Sequence, residues 1–179
     1  MQGKFSLFFI LVVLVAVSPA AFGQWVSTGT TNITVSVGPE AALSVNSATP
    51  LTTGTTLFDD YAGTTTFSYK VRTTRVGGSG SIAAQVLTDF SPGNGPSVQN
   101  PPTAGNTLSY GCTVAGPGSP CSGSIAAQYQ VDTNVATFGA NARSARAGDS
   151  GSLAWVLTND PRYETGNYTA VVRFTISAM

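Results

Sequence analysis

The chain has no histidine, and only two of its 179 residues are cysteine. Without an imidazole there is no histidine general base, no histidine-assisted serine or cysteine nucleophile, and no imidazole metal ligand. Two cysteines alone do not complete a structural zinc site. Charge is equally scarce, with eight Lys plus Arg and eight Asp plus Glu making up 9% of the chain. No basic cluster is dense enough to neutralise phosphates, which argues against nucleic acid as a partner. Asp59-Asp60 is the only adjacent acidic pair. Strand neighbours face opposite ways, so these two read as loop residues rather than as the convergent carboxylates of a glycosidase. They match no ordered calcium loop either. Neither a helix nor a Lys-Ser/Thr pair follows Gly77-Gly78-Ser79-Gly80, so no phosphate cradle is expected. Arg143-Ser-Ala-Arg146 fits an acidic-sugar contact or, more plainly, a solvated loop. The expectation is a protein that is not an enzyme and uses no metal or cofactor.

Long apolar runs are absent beyond the first residues. Phe5 to Val17 is nearly unbroken, but its 13 residues fall short of the roughly 20 that a spanning helix needs. Lys4 precedes it, Ser18-Pro19 breaks it, and Ala21-Phe22-Gly23 supplies small residues where a signal peptidase cuts. Residues 1–23 therefore read as a cleaved signal peptide, with the mature chain starting at Gln24. The residue directly after the cleavage site is Gln24 and not Cys, which argues against a lipoprotein. Residues 24–179 are then one domain's worth of chain, without Lys4 and without a membrane span. The expected route is through the periplasm to the cell surface or medium.

What the remaining sequence does have is alternation. Thr31 to Val37 places Ile33, Val35 and Val37 on one face and Asn32, Thr34 and Ser36 on the other. Pro39 ends that run, and Ala41–Val45 is a short second one. Thr65 to Arg75 alternates again, with Phe67, Tyr69, Val71 and Thr73 facing one way. Runs follow at 81–88, 107–114, 124–131 and 135–138. In 152–158, Leu153, Trp155 and Leu157 share a face. In 168–177, Tyr168, Ala170, Val172, Phe174 and Ile176 do the same. Gly, Pro, Asn and Asp clusters separate the runs. The longest loop is expected around Ser91 to Asn106. Eight or nine short strands at this spacing predict an all-β fold, a sandwich or barrel. Phe67, Trp155, Tyr168 and Phe174 are expected in its core.

Cys112 and Cys121 flank a turn-rich spacer, which in an exported protein reads as one local disulfide. Glu164-Thr-Gly-Asn-Tyr168 has the spacing of a corner at which a tyrosine hydroxyl bonds back to backbone. Gly80-Ser-Ile-Ala-Ala-Gln85 recurs as Gly123-Ser-Ile-Ala-Ala-Gln128. The flanking residues do not continue the match, so independent strands explain it better than a duplicated half-domain.

Three stretches together resemble the major pilins of the alternate chaperone–usher, colonisation-factor type. They are Asn32-Ile-Thr-Val-Ser-Val37 with Gly-Pro and Ala41-Ala-Leu-Ser-Val45, then Phe67-Ser-Tyr-Lys-Val-Arg-Thr73, and finally Thr165-Gly-Asn-Tyr-Thr-Ala-Val-Val172. The resemblance implies an immunoglobulin-like sandwich over 39–179 whose groove takes the N-terminal strand of the next subunit. Residues 24–38 would be that strand, with Ile33, Val35 and Val37 as its apolar row. It implies self-association into a pilus, fimbria or surface filament, with a periplasmic chaperone and an outer-membrane usher as partners. Two other readings stay open. Residues 31–37 pair inside their own domain as an ordinary first strand, or the chain is a self-complete secreted module that binds carbohydrate or another cell-surface ligand.

Overall fold

Alternation of apolar and polar side chains organises residues 29–179, the part that this computed structural model describes, into nine strands. The signal peptide expected at 1–23, and residues 24–28 of the segment after it, lie outside the described residues. The strands are β1 (Glu40–Val45), β2 (Tyr61–Arg72), β3 (Gly80–Ser91), β4 (Leu108–Val114) and β5 (Ser119–Pro120). They continue with β6 (Ile125–Ala126), β7 (Thr133–Phe138), β8 (Asp149–Leu157) and β9 (Thr169–Ala178). They form two antiparallel sheets, ordered β1-β2-β8-β4-β6 and β5-β7-β3-β9. No helix occurs among the described residues.

The inner faces of the sheets share one core. Phe67, Tyr69 and Val71 of β2, Ile82, Ala84 and Val86 of β3, and Leu153, Trp155 and Leu157 of β8 are all buried, each at the period of two that a pleated strand imposes. Aromatic contacts tie sheet to sheet. The Tyr69 ring lies 5.4 Å from Phe138 of β7, and Phe67 lies 6.2 Å from Phe174 of β9. The buried Tyr110 hydroxyl donates across the core to Thr133 Oγ1 at 2.7 Å, so the phenol's polar end carries no unmet bond. Gly77, at φ 70°, turns the chain between β2 and β3 in a conformation that a side chain would oppose.

Cys112 of β4 and Cys121, just after β5, are bonded to each other, with Cα atoms 5.5 Å apart. Since β4 and β5 belong to different sheets, the bond staples the two sheets along one side. Closing a loop this short contributes about 2–3 kcal/mol by restricting the unfolded chain.

Asp89 fixes the start of the long loop that follows β3. Its carboxylate accepts the Phe90 and Val98 N–H groups, both at 2.8 Å, the Ser97 hydroxyl at 2.6 Å and the Gln99 N–H at 3.1 Å. Burial pushes its pKa up, but these four bonds, the Ser97 hydroxyl foremost, outweigh burial and hold it below the ordinary carboxylate value. A depressed folded-state pKa stabilises the fold above the unfolded value of about 3.9 and stops doing so as pH falls through the folded value. Asp89→Asn is therefore expected to cost about 1–2 kcal/mol at neutral pH, allowing for solvent screening at a part-exposed group. Urea titrations of both proteins should show that gap closing below about pH 4; a pH-independent gap would contradict the argument.

Three sequence expectations need correction. Residues 31–37 are in no strand, and the first strand begins at Glu40, after Pro39. The run expected at 124–131 shrinks to Ile125–Ala126. Its partner β4 begins at Leu108, so the ladder ends at Ala126; beyond it Tyr129 makes an isolated parallel bridge with Val86, and Gln130 turns at φ 54°. Tyr168 and Phe174 lie on the expected face but are only half-buried, since they border a groove. The repeated Gly-Ser-Ile-Ala-Ala-Gln segments occupy unlike places, the first in β3 and the second around β6 at a sheet edge, in keeping with independent segments and not a duplicated half-domain.

Candidate functional site: the groove between β1 and β9

The two sides of the stacked sheets differ. On the stapled side the edge strands β5 and β6 are two residues long, and β5 contains Pro120. Short edges and proline offer little backbone for another chain to pair with. On the opposite side the edges are β1, with six residues, and β9, with ten. Among the described strands, β1 pairs only with β2 and β9 only with β3. Both therefore present an outer row of backbone N–H and C=O groups without a ladder partner.

Between these edges runs a groove of about 1900 Å³. Its walls come from strands whose apolar positions are incompletely covered. Ala41, Leu43 and Val45 of β1 and Ala170, Val172, Phe174 and Ile176 of β9 are all half-buried, whereas their counterparts on β2, β3 and β8 are sealed. Trp155, Leu108 and Leu157 reach its floor from the core. Chain order explains the arrangement: β1 and β9 are the first and last strands of the described chain, each zipped to the body along one edge only.

One end of the groove is polar. It opens onto the loop from Asn46 to Asp60 and the loop from Thr158 to Tyr168. The Tyr168 hydroxyl donates to Glu164 O at 2.7 Å, the backbone corner expected from the spacing, and braces the loop that leads into β9. A Cβ on Gly95 would overlap the Tyr168 ring, so glycine is required for that ring to seat. Asp160 is buried, accepting Asn106 Nδ2 at 3.0 Å and the Arg162 N–H at 2.9 Å. The nearby Tyr163 hydroxyl is buried without a hydrogen-bond partner. Burial first, and Asp160 second, push its pKa up.

Leu57 and Phe58 also line the groove, and both are exposed, Phe58 at a φ of 60°. Sequence reading missed the groove's walls because its test was alternation, which β1 and β9 satisfy like any core strand. A usable signal was the position of such strands at both ends of the domain.

The sequence-derived site residues fall into two groups. Cys112 and Cys121 form the expected bond, on the side away from the groove. Ile33, Val35 and Val37 are 90%, 75% and 63% exposed, an alternating β-branched row in contact with water. Asp59 and Asp60 sit in the loop before β2 and are engaged locally: Asp59 accepts the Thr56 N–H at 2.9 Å and Asp60 the Asn159 N–H at 3.2 Å. Among the described residues, no three Asp, Glu, His or Cys side chains converge as metal ligands. No described helix is long and apolar enough to cross a membrane.

No family model, curated protein or solved structure matches the chain.

Proposed function

We propose that the protein is an extracellular structural subunit that assembles into a filament by strand complementation. The apolar row of residues 31–37 from one copy lies in the β1–β9 groove of another. The supporting observation is a match within one chain: an open groove with unpaired edges on both walls, and an exposed segment patterned to fill it. A strand rises about 3.3 Å per residue, so seven residues span about 23 Å, within the length of ten-residue β9. Main-chain bonds to the free edge of β9 supply affinity, since β1 and β9 come within 8 Å of each other and leave too little room for a strand paired to both; alternate side chains entering the apolar wall set the register. Ile33, Val35 and Val37 would complete the cover over Leu43, Val172 and Phe174. Asn32, Thr34 and Ser36 would face solvent.

On this reading the fold is immunoglobulin-like, the role is structural rather than catalytic, and the chain reaches the cell surface through the periplasm. A chaperone and an usher there would guard the groove until assembly. The disulfide supports an oxidising compartment.

A synthetic peptide of residues 29–38, added in excess to the chain starting at Gln24, is expected to cap growth and leave short oligomers. A peptide with Ile33 and Val35 changed to Asp should leave growth unaltered. Analytical ultracentrifugation reads both. A chain that stays monomeric at high concentration, or a peptide that does not bind, would sink the reading and favour a self-complete binding module.

A further inference from the structure

The scarce charges are sorted by position along the strands. Residues 38–40, the end of β2, the turn after it and the loop before β8 meet at one end of the sheets. There Arg72 pairs with Glu40 at 2.9 Å, Arg72 bridges Arg143 through backbone, and the Ser144 N–H reaches Val71 O. This end holds Lys70, Arg72, Arg75, Arg143 and Arg146 against Glu40 and Asp149, a formal charge of +3. The other end gathers the start of β2, the loop after β3 and the loop before β9. It holds Asp59, Asp60, Asp89, Asp160 and Glu164 against Arg162, a formal charge of −4. Arg75, Arg143, Arg146, Asp60 and Glu164 are exposed. Among the described residues Arg72–Glu40 is the sole ion pair, so most of this charge is uncompensated within the fold.

Two further observations give the poles a direction. The N-terminal segment joins the body at the basic pole, where Arg72 Nε–H donates to Gly38 O at 2.7 Å. The groove's polar mouth is at the acidic pole, with Asp160 and Glu164 on its rim. Only Gly38 and Pro39 separate Val37 from β1. Two residues reach at most about 7 Å, so a copy whose residues 31–37 lie in a neighbour's groove must press its basic pole against that neighbour.

We infer that the basic pole of one copy docks on the acidic pole of the next, around the groove mouth, so that Arg75, Arg143 and Arg146 face Asp60 and Glu164. The partner is a second copy of this chain, and the inference rests on the strand reading above for its geometry. Entry at the opposite mouth would set +3 against +3, and like charges suppress that encounter. Opposed poles steer the approach and set the polarity of growth, with salt-sensitive rates.

The test uses the chain starting at Gln24 with Arg143→Glu and Arg146→Glu together, both being exposed loop positions. At about 0.01 M ionic strength, where charges act over about 30 Å, elongation followed by light scattering is expected to slow at least about tenfold. At about 1 M, where they act over about 3 Å, the variant and the parent chain should converge. Mixing the variant with copies carrying Asp60→Lys and Glu164→Lys should restore the low-salt rate. Binding of the 29–38 peptide to the double-Glu variant should be unchanged, because the groove is untouched. An unchanged rate, or a loss that the reciprocal reversal does not rescue, would overturn the docking. So would a variant that elongates normally but loses retention on an acidic polysaccharide, which would assign the basic pole to another partner. Loss of peptide binding in the parent chain would overturn the strand reading instead, and the reciprocal charge rescue of self-association would then judge the poles by themselves.

Discussion

Ile33→Asp combined with Val35→Asp is expected to weaken association between copies at least about a thousandfold while leaving the fold intact. Burying an Ile or Val side chain is worth about 1.5–3 kcal/mol, so the pair forfeits about 3–6 kcal/mol of complementation. Each carboxylate entering the groove would also lose its water without gaining a cation, which costs several kcal/mol more. At about 1.4 kcal/mol per tenfold, the hydrophobic part alone spans about a hundredfold to about ten-thousandfold, and the carboxylate desolvation carries the total past a thousand. Both residues are exposed in the single chain, so its stability should be unaffected. The opposite face supplies the control: Asn32→Asp with Ser36→Asp adds the same charge to the side that would face solvent, and should leave assembly within a few-fold. Sedimentation and electron microscopy distinguish the two. Equal damage from both pairs would mean that the segment acts through charge or sequence-independent contact, not through an apolar row.

Trp155→Ala should cost about 3–5 kcal/mol of folding stability, the range for deleting a large buried aromatic. Trp155 is 4% exposed and sits in β8, between β2 and β4 in the middle of the five-stranded sheet. Its ring packs edge-on against Tyr110 at 5.0 Å, and its indole N–H donates to Thr65 Oγ1 at 2.8 Å. The Thr65 hydroxyl also bonds the Thr49 hydroxyl at 2.6 Å, so the ring anchors the loop between β1 and β2. Alanine leaves a cavity beneath the groove and removes one partner of a buried pair. Trp155→Phe, which keeps most of the ring, should recover all but about 1–2 kcal/mol. Urea denaturation with unchanged slope would register both as shifts of midpoint. A loss under about 1 kcal/mol for the alanine variant would show that the core is not centred on this residue.

Period-two alternation was legible wherever a strand is buried by its own chain. Phe67, Tyr69 and Val71, and likewise Leu153, Trp155 and Leu157, read as inward rows and are inward rows. Alternation reports a face that water disfavours, not what covers it. Thr31 to Val37 has a flawless pattern yet forms no strand, and Tyr168 and Phe174 read as core while bordering open space. In 124–131 the composition is strand-like, but the ladder stops at Ala126, where its partner β4 begins, and Gln130 turns in a left-handed conformation; no residue type there announces that. A groove was implied by the resemblance, but its walls were not legible in the residues, because they arise from β1 and β9 meeting across the stacked sheets although they are remote in sequence. The charge poles were hidden for a related reason. A near-neutral sum carries no information about where each sign falls along the fold.

Glu40 opens β1 opposite Arg72, and five more residue pairs follow in register to Val45 and Phe67. In a filament built as proposed, tension between subunits would enter each body through Gly38 and run along the axis of β1. Such a pull drags the strand lengthwise past β2, so all the cross-strand bonds resist together. A sideways pull would open them one after another. Arranged this way, a modest six-residue ladder resists sudden traction far better than its equilibrium stability alone would indicate, since forced unfolding is set by the height of a barrier.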